Sequence, residues 1–283
     1  MLKKPFLHLS LLPLTALAGL TTFALPALAY FPLSQIARTQ GSSSSMLIAG
    51  LKFKVPNVGS SGNREAGASR GQCPAVGQQS MSKQRLAALV PSNLLALTQS
   101  ANPTFFFYLT EGSATKAEFI LIDQEDEWLY DTEIDLPDKV GVVSFKLPKD
   151  GLQPVSLSVG EEYRWYVRLR CSISADRSGS SVVGGTIKRV QLSNSLVDLK
   201  DSEYPAAYAE AGLWQDTLAS LADLLDRAPE DPNLNEAALK RDWRGLLLAH
   251  LFVDPRTQEQ EKQRREIADA DLVGSATVAE IIE

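Results

Sequence analysis

The stretch Glu162-Tyr163-Arg164-Trp165-Tyr166-Val167-Arg168-Leu169-Arg170-Cys171 decides the fold class of this 283-residue chain. From 163 onward its odd-numbered positions hold Tyr, Trp, Val, Leu and Cys, whereas the even-numbered ones hold three arginines and a tyrosine. A repeat of two residues is typical of a β-strand with one buried and one outer face. The sequence therefore predicts a strand over 162–171, with Cys171 pointing into the core.

Similar runs on either side of this stretch predict a sheet protein. They are separated by turn-forming residues such as Pro148-Lys149-Asp150-Gly151, and they predict strands at 104–110, 116–123, 128–134, 141–147 and 182–190. Short strands at this spacing favour an antiparallel β-sandwich with immunoglobulin-like (Ig-like) architecture over residues 73–190.

The hydrophobic period changes to that of a helix after residue 203. Two stripes of apolar residues follow, and the connector Ala228-Pro229-Glu230-Asp231-Pro232 separates them. The spacing predicts a C-terminal αα-hairpin over 203–252 that resembles a partial tetratricopeptide unit. The chain as a whole is therefore predicted to be α+β.

The first 29 residues have the layout of a secretory signal peptide. Lys3 and Lys4 precede a long apolar run, which ends in Ala27-Leu28-Ala29. We expect an exported protein, periplasmic or extracellular, that contacts the membrane only through this segment if it is not cleaved. An uncleaved membrane anchor is the alternative, since the run is long enough to span a bilayer.

Two further segments are predicted to have little fixed structure. Residues 30–72 are rich in Ser and Gly and predict a flexible linker, although the alternating run Leu51–Val55 is compatible with an added strand. Residues 254–283 are mostly polar and charged, and they predict a weakly ordered polar tail.

Charge and cysteine content limit the function classes. A net charge of −6 argues against nucleic acid as a partner, because that role needs a basic face. Cys73 and Cys171 are the two cysteines of the chain. In an exported protein they predict one disulfide. A metal-binding pair and two free thiols remain as alternatives.

The outer face of the strand over 162–171 is the candidate binding face. Arginine forks match carboxylates and phosphates, so this face is a candidate for gripping an acidic polysaccharide or a partner protein. The alternative is cross-strand pairing with acidic neighbours such as Glu118 or Glu133. The candidate residues are Arg164, Tyr166, Arg168 and Arg170.

No motif in the chain predicts catalysis, a cofactor or a metal. Ser80-Met81-Ser82-Lys83 matches Ser-x-x-Lys but lacks the other elements of that acyltransferase site. His250 lies on the apolar stripe of a predicted helix, which favours a packed residue over a catalytic base. The acidic residues at 123–131 lack the spacing of a calcium loop and are interpreted as a solvated turn.

The order of several motifs resembles one known family. They include Gly71-Gln72-Cys73-Pro74, Tyr163-Arg164-Trp165-Tyr166, Cys171 and Tyr208-Ala209-Glu210-Ala211-Gly212-Leu213-Trp214-Gln215-Asp216. Together, over roughly residues 52–253, they resemble the mainly cyanobacterial family called domain of unknown function nine-two-eight. The resemblance implies an exported cyanobacterial protein with both cysteines as landmarks, and it implies no activity.

These observations favour a non-catalytic protein-interaction or structural module of the cell envelope. Its expected partner is another envelope protein. The alternative is a glycan- or acidic-polymer-binding sandwich that uses the arginine and tyrosine face, and an enzyme is the least favoured of the three hypotheses.

Overall fold

The structure is a computed structural model that describes residues 51–57, 86–110, 114–151, 153–170, 181–192, 196, 198–251 and 258–279. Within these ranges the strands are β1 (Leu86–Ala88), β2 (Leu95–Thr98), β3 (Thr104–Leu109), β4 (Lys116–Ile122), β5 (Trp128–Asp135), β6 (Gly141–Lys146), β7 (Glu162–Arg170), β8 (Val182–Arg189), β9 (Leu272–Ser275) and β10 (Thr277–Val278). The helices are α1 (Tyr204–Ala211), α2 (Trp214–Arg227), α3 (Glu236–His250) and α4 (Gln258–Ala268).

The strands form two sheets that pack as a sandwich. The inner sheet has the order β1-β3-β6-β9, and the outer sheet has the order β10-β5-β4-β7-β8-β2. Phe105 of β3 joins them, since its ring centroid lies 5.0 Å from both Phe119 of β4 and Trp165 of β7. The odd-numbered residues of β7 are buried, as its alternation predicts.

The six strands predicted from the sequence are present, with ends that differ by one residue at most. The predicted β-sandwich is present, but it is not antiparallel throughout, because β2 pairs with β8 in parallel. Outside the predicted range, β9 also pairs with β6 in parallel. β2 was not predicted, because it is only four residues long and is buried on both faces, so its sequence shows no alternation. Leu95 and Leu97 of β2 pack with Leu213 beside α1, whereas Ala96 belongs to the main core.

The helices form a third layer on the other face of the inner sheet. Phe106 of β3 lies against Trp243 of α3 with ring centroids 6.0 Å apart. The side-chain amide of Gln215 in α2 donates a hydrogen bond to the Thr104 carbonyl at 2.8 Å. Because β3 is covered on both faces, its run of consecutive apolar residues is the pattern of a fully buried strand.

The C-terminal part of the chain is more extensively folded than predicted. Residues 203–252 hold three helices, not two, because Gly212 adopts φ +74° and turns the chain between α1 and α2. The prediction of a weakly ordered tail is wrong for residues 258–279, which form α4, β9 and β10. β9 and β10 are too short for an alternating pattern to predict a strand. α4 is almost wholly polar, apart from the buried residues Ile267 and Ala268 at its C-terminal end.

Residues 51–57 have no regular secondary structure and pair with neither sheet, so the run Leu51–Val55 is not an added strand. The segments 1–29, 30–50 and 58–72, the motif at 80–83, and both Cys73 and Cys171 lie outside the described residues. None of the helices in the described ranges has the length and apolar character needed to cross a bilayer.

Candidate functional site

The four predicted binding residues lie together on the exposed face of the outer sheet. Arg164, Tyr166, Arg168 and Arg170 alternate along β7, and the pairing with β4 sets Glu118 opposite Arg168. This placement follows directly from the period of two in the sequence.

Each of the three arginines is paired with a carboxylate from another part of the outer sheet or its turns. Arg168 Nη1 lies 2.7 Å from Glu118 Oε2, and Arg170 Nε lies 3.4 Å from Glu133 Oε2. Arg164 pairs with Asp126 in the turn between β4 and β5. The cross-strand alternative is therefore what the structure contains, and an acidic ligand on this face has to compete with these carboxylates.

Glu133 lies at the centre of the exposed pairs. The ammonium of Lys116 donates to it at 2.6 Å, and this hydrogen bond, assisted by the charges of Lys116 and Arg170, lowers the pKa of Glu133 below its usual value. Such solvent-exposed pairs contribute little to stability, because water and salt screen the two charges. Their main effect is to neutralise the positive charges of this face.

Aromatic side chains on this face add to the site. A Cβ at Gly184 of β8 would lie 2.8 Å from Cδ1 of Tyr166 and 2.1 Å from the Trp165 carbonyl oxygen, so the Tyr166 ring covers a residue that has no side chain. Trp128 at the start of β5 is 57% exposed, and Leu129 beside it is 43% exposed. Sequence analysis missed Trp128, although a tryptophan directly after a run of acidic residues is a visible signal.

The acidic residues at 123–131 serve to close a turn. Asp123 Oδ1 accepts the backbone N–H groups of Glu125 and Glu127, both at 2.9 Å. Asp126 adopts φ +68° and pairs with Arg164. Among the residues that the structure describes, no group of three or more His, Cys, Asp or Glu side chains is placed to hold a metal ion.

A groove of about 1020 Å³ lies between the helical layer and the inner sheet, and sequence analysis did not foresee it. Its apolar part includes Phe106 of β3 and Trp243 of α3. The side from α2 carries the small residues Ala219 and Ala222, and the opposite side is the segment 268–275 around β9. The groove therefore depends on the tail that was predicted to lack structure.

The rim of this groove carries charges of both signs. Lys146 and Lys240 line it together with Asp223 and Asp226. Lys240 Nζ lies 2.9 Å from Glu236 on the same helix, as an i,i+4 pair. A lining with an apolar base and a charged rim is typical of surfaces that bind proteins or peptides.

A smaller cavity of about 340 Å³ adjoins the groove and shares Thr104, Lys146, Ala219 and Asp223 with it. Asp216 in the first turn of α2 lines this cavity and is 9% exposed. Its Oδ2 accepts the backbone N–H of Gln99 at 3.1 Å. Burial raises the pKa of Asp216 to about 6, although hydrogen bonds from Thr98, Gln99 and Ser100 oppose the increase.

Asp242 is the other buried carboxyl with a raised pKa, and it lies elsewhere. Burial raises its pKa, whereas a hydrogen bond from the backbone of Leu51 lowers it. Asp242 lines neither the groove nor the smaller cavity. Within the described ranges these two carboxyls therefore do not face one cleft, the arrangement in which paired acids act together.

Comparison with known proteins assigns the family. The model of the family described as Domain of Unknown Function (DUF928) matches residues 65–253, which is more than half of the chain. A search of curated proteins finds no match. The matched range contains β1 to β8 and α1 to α3, and it ends before α4 and β9 complete the groove. The chain therefore belongs to the Domain of Unknown Function (DUF928) family.

Proposed function

We propose that this protein is an exported, non-catalytic binding module of the cell envelope that holds an extended segment of another envelope protein in the groove. The observation that carries the proposal is the groove itself, about 1020 Å³ in volume and bounded by α2, α3 and the segment around β9. Pockets of this kind hold ligands of substantial size.

The chemistry of the lining favours a polypeptide as the ligand. Phe106 and Trp243 are buried at the base of the groove, and the half-buried Leu225, Leu272 and Val273 give it an apolar surface for one or two side chains. Lys146 and Asp226 at the rim suit a polar backbone and side chains of either charge. Ala219 and Ala222 on the α2 side of the groove have small side chains, which leave room for an extended chain. A surface of single charge, as an acidic polymer would require, is not present along this rim.

The non-catalytic part of the proposal is supported by the placement of the titratable groups. Asp216 and Asp242 have raised pKa values but lie in different environments. His250 ends α3 against Phe53, with ring centroids 5.3 Å apart, and burial lowers its pKa. These groups are engaged in packing and in hydrogen bonds to the backbone.

We also propose that the sandwich has immunoglobulin-type topology. The strand orders β1-β3-β6 and β5-β4-β7-β8 match those of the two sheets of a variable-type immunoglobulin domain. β2 lies parallel to β8 at the edge of the second of these sheets. The likeness of the α2–α3 pair to a tetratricopeptide unit remains a prediction from residue spacing.

The test of the groove uses two alanine-to-arginine variants on helices. Ala222→Arg places a long side chain in the groove, and Ala237→Arg, on an exposed position of α3 outside the groove, is the matched control. Arginine is a good helix former, so both variants are expected to fold. From envelope extracts, the wild type and Ala237→Arg should capture the same stoichiometric partner and Ala222→Arg should lose it. Equal capture by Ala222→Arg, or no stoichiometric partner for the wild type, would contradict the proposal.

The alternative function is binding of a glycan or acidic polymer on the outer sheet. The exposure of Trp128 near the row of arginines favours it. Replacing all three arginines by alanine should abolish binding to an immobilised acidic polysaccharide, and Trp128→Ala should weaken it. Binding that survives the triple replacement rules this alternative out.

Export and the disulfide are proposals from the sequence. The exported protein should lack residues 1–29, and non-reducing digestion followed by mass spectrometry should recover the peptides of Cys73 and Cys171 joined. Reduction should lower the free energy of unfolding by about 4–5 kcal/mol, as the chain-entropy model gives for a loop of about one hundred residues. Unlinked peptides, or peptides linked only between chains, would show that the pairing is wrong.

A further inference from the structure

The segment 51–57, here called the strap, lies across the helical layer without joining a sheet. Phe53 is its buried residue, at 7% exposure, whereas Lys52 and Lys54 on either side are exposed. The Phe53 ring meets Trp214 edge-on, with centroids 5.2 Å apart, and lies 5.3 Å from His250. One aromatic side chain therefore enters a pocket between the start of α2 and the end of α3.

The backbone of the strap is held at two points on either side of Phe53. Lys54 N–H donates to the Ala209 carbonyl of α1 at 2.9 Å. The Asp242 carboxylate of α3 accepts the backbone N–H of Leu51. These contacts do not depend on the side chains at 51 and 54, as in the recognition of extended peptides through their main chain.

The turn between α1 and α2 closely follows the shape of the strap. Gly212 adopts φ +74°, and a Cβ there would lie 2.7 Å from the Lys54 carbonyl oxygen and 2.8 Å from Pro56 Cγ. A larger residue at 212 would push the strap away. The pocket is thus complementary to the backbone of the strap as well as to the Phe53 ring.

The strap and its pocket belong to different parts of the chain. The family match covers residues 65–253, which includes Ala209, Gly212, Trp214, Asp242 and His250 but not the strap. Residues 58–85 separate the strap from β1. The strap is attached by the Phe53 ring, by two main-chain hydrogen bonds and by the packing of Leu51 and Pro56. A short segment held outside both sheets by few contacts can open before the whole domain unfolds.

We propose that this pocket is a peptide-binding site and that the strap is its tethered ligand. The site selects a segment with a bulky aromatic residue at the position of Phe53 and with backbone N–H groups two residues before and one residue after it that are free to bond to the pocket. The same segment of a second copy of the chain can make the same contacts when the tethered strap is displaced. This site is separate from the groove, and its test does not depend on the proposed function.

The first experiment empties the site in the full-length chain. Phe53→Ala removes the anchoring ring, and a fluorescent peptide of residues 47–58 is then titrated against the variant. The peptide should bind the variant saturably and bind the wild type at least about tenfold more weakly, because the tethered strap competes. A control peptide carrying the same Phe53→Ala change should not bind. If the folded variant fails to bind the peptide, or binds both peptides equally, the proposal is overturned.

A second experiment leaves the strap intact, in case the variant fails to fold. A protease site is introduced between residues 58 and 64 of the full-length chain, and the chain is cut there. The N-terminal fragment should stay bound at high protein concentration and dissociate on dilution while the remaining domain stays folded. If the fragment is released only together with global unfolding, the strap is an ordinary part of the core and the proposal fails.

Discussion

The buried carboxyl of Asp216 makes stability depend on pH in a direction opposite to that of most salt-bridged acids. Burial at the start of α2 raises its pKa to about 6 from the usual 3.8. Because the folded protein then binds the proton more tightly than the unfolded chain does, this group favours folding below pH 3.8. That contribution is lost as the pH rises through 6.

The size of the effect follows from the two pKa values. A difference of about two units corresponds to about 3 kcal/mol, of which about 2–3 kcal/mol falls between pH 4 and pH 7. Asp216→Asn removes the titration and keeps an oxygen that can accept the Gln99 N–H. The free energy of unfolding of the variant minus that of the wild type should therefore increase by about 2–3 kcal/mol from pH 4 to pH 7.

The measurement is denaturant unfolding of both proteins at pH 4, 5, 6 and 7. Asp138→Asn, at an exposed loop position, is the control and should give a difference that changes little with pH. Asp242 is present in every protein, so its own raised pKa cancels in the comparison. A difference between Asp216→Asn and wild type that stays constant across this range would refute the assignment of a raised pKa to Asp216.

Three further predictions concern stability. Gly184→Ala should destabilise the protein by several kcal/mol, since the new Cβ would meet the Trp165 carbonyl oxygen at 2.1 Å, whereas Gly245→Ala in α3, with nothing within 4 Å, should stabilise it by about 0.5–1 kcal/mol. Thermal melts of the pair check this, and equal effects would contradict it. A double-mutant cycle on Glu118 and Arg168 should give a coupling free energy of about 1–2 kcal/mol, because the Glu118 side chain is only 10% exposed. A coupling below about 0.3 kcal/mol would show that this ion pair does not stabilise the fold. Thermal melts of the exported protein with and without reductant should separate in the wild type and coincide once both cysteines are replaced by serine.

The helical layer connects the separate sites of the molecule. Trp214 begins α2, donates its indole N–H to the Leu89 carbonyl at 3.0 Å and receives the ring of Phe53. Asp216, two residues later, accepts from the backbone at Gln99. The start of α2 thus holds the strap and the loop between β2 and β3, while the middle of the same helix forms one side of the groove.

Local alternation was enough to predict β7 and the face on which its arginines lie. The reason is physical: a strand reverses the direction of its side chains at every residue, so a half-buried strand records its burial in the order of its residues. Cross-strand pairing with Glu118 or Glu133 was one of two alternatives for this face, and the structure contains both pairs. Helical spacing likewise predicted α2 and α3.

Only the tertiary structure decided the features that depend on contacts between distant segments. β2 and β9 pair in parallel with strands far along the chain, and their short sequences carry no periodic signal. The raised pKa of Asp216 comes from its burial in the folded protein, whereas the sequence shows only an ordinary acid in the first turn of a helix. The groove requires the end of α4 and β9, which line one side of it. α4 is almost wholly polar and β9 has only four residues, so their positions depend on the segments they contact and not on a pattern in their own sequence.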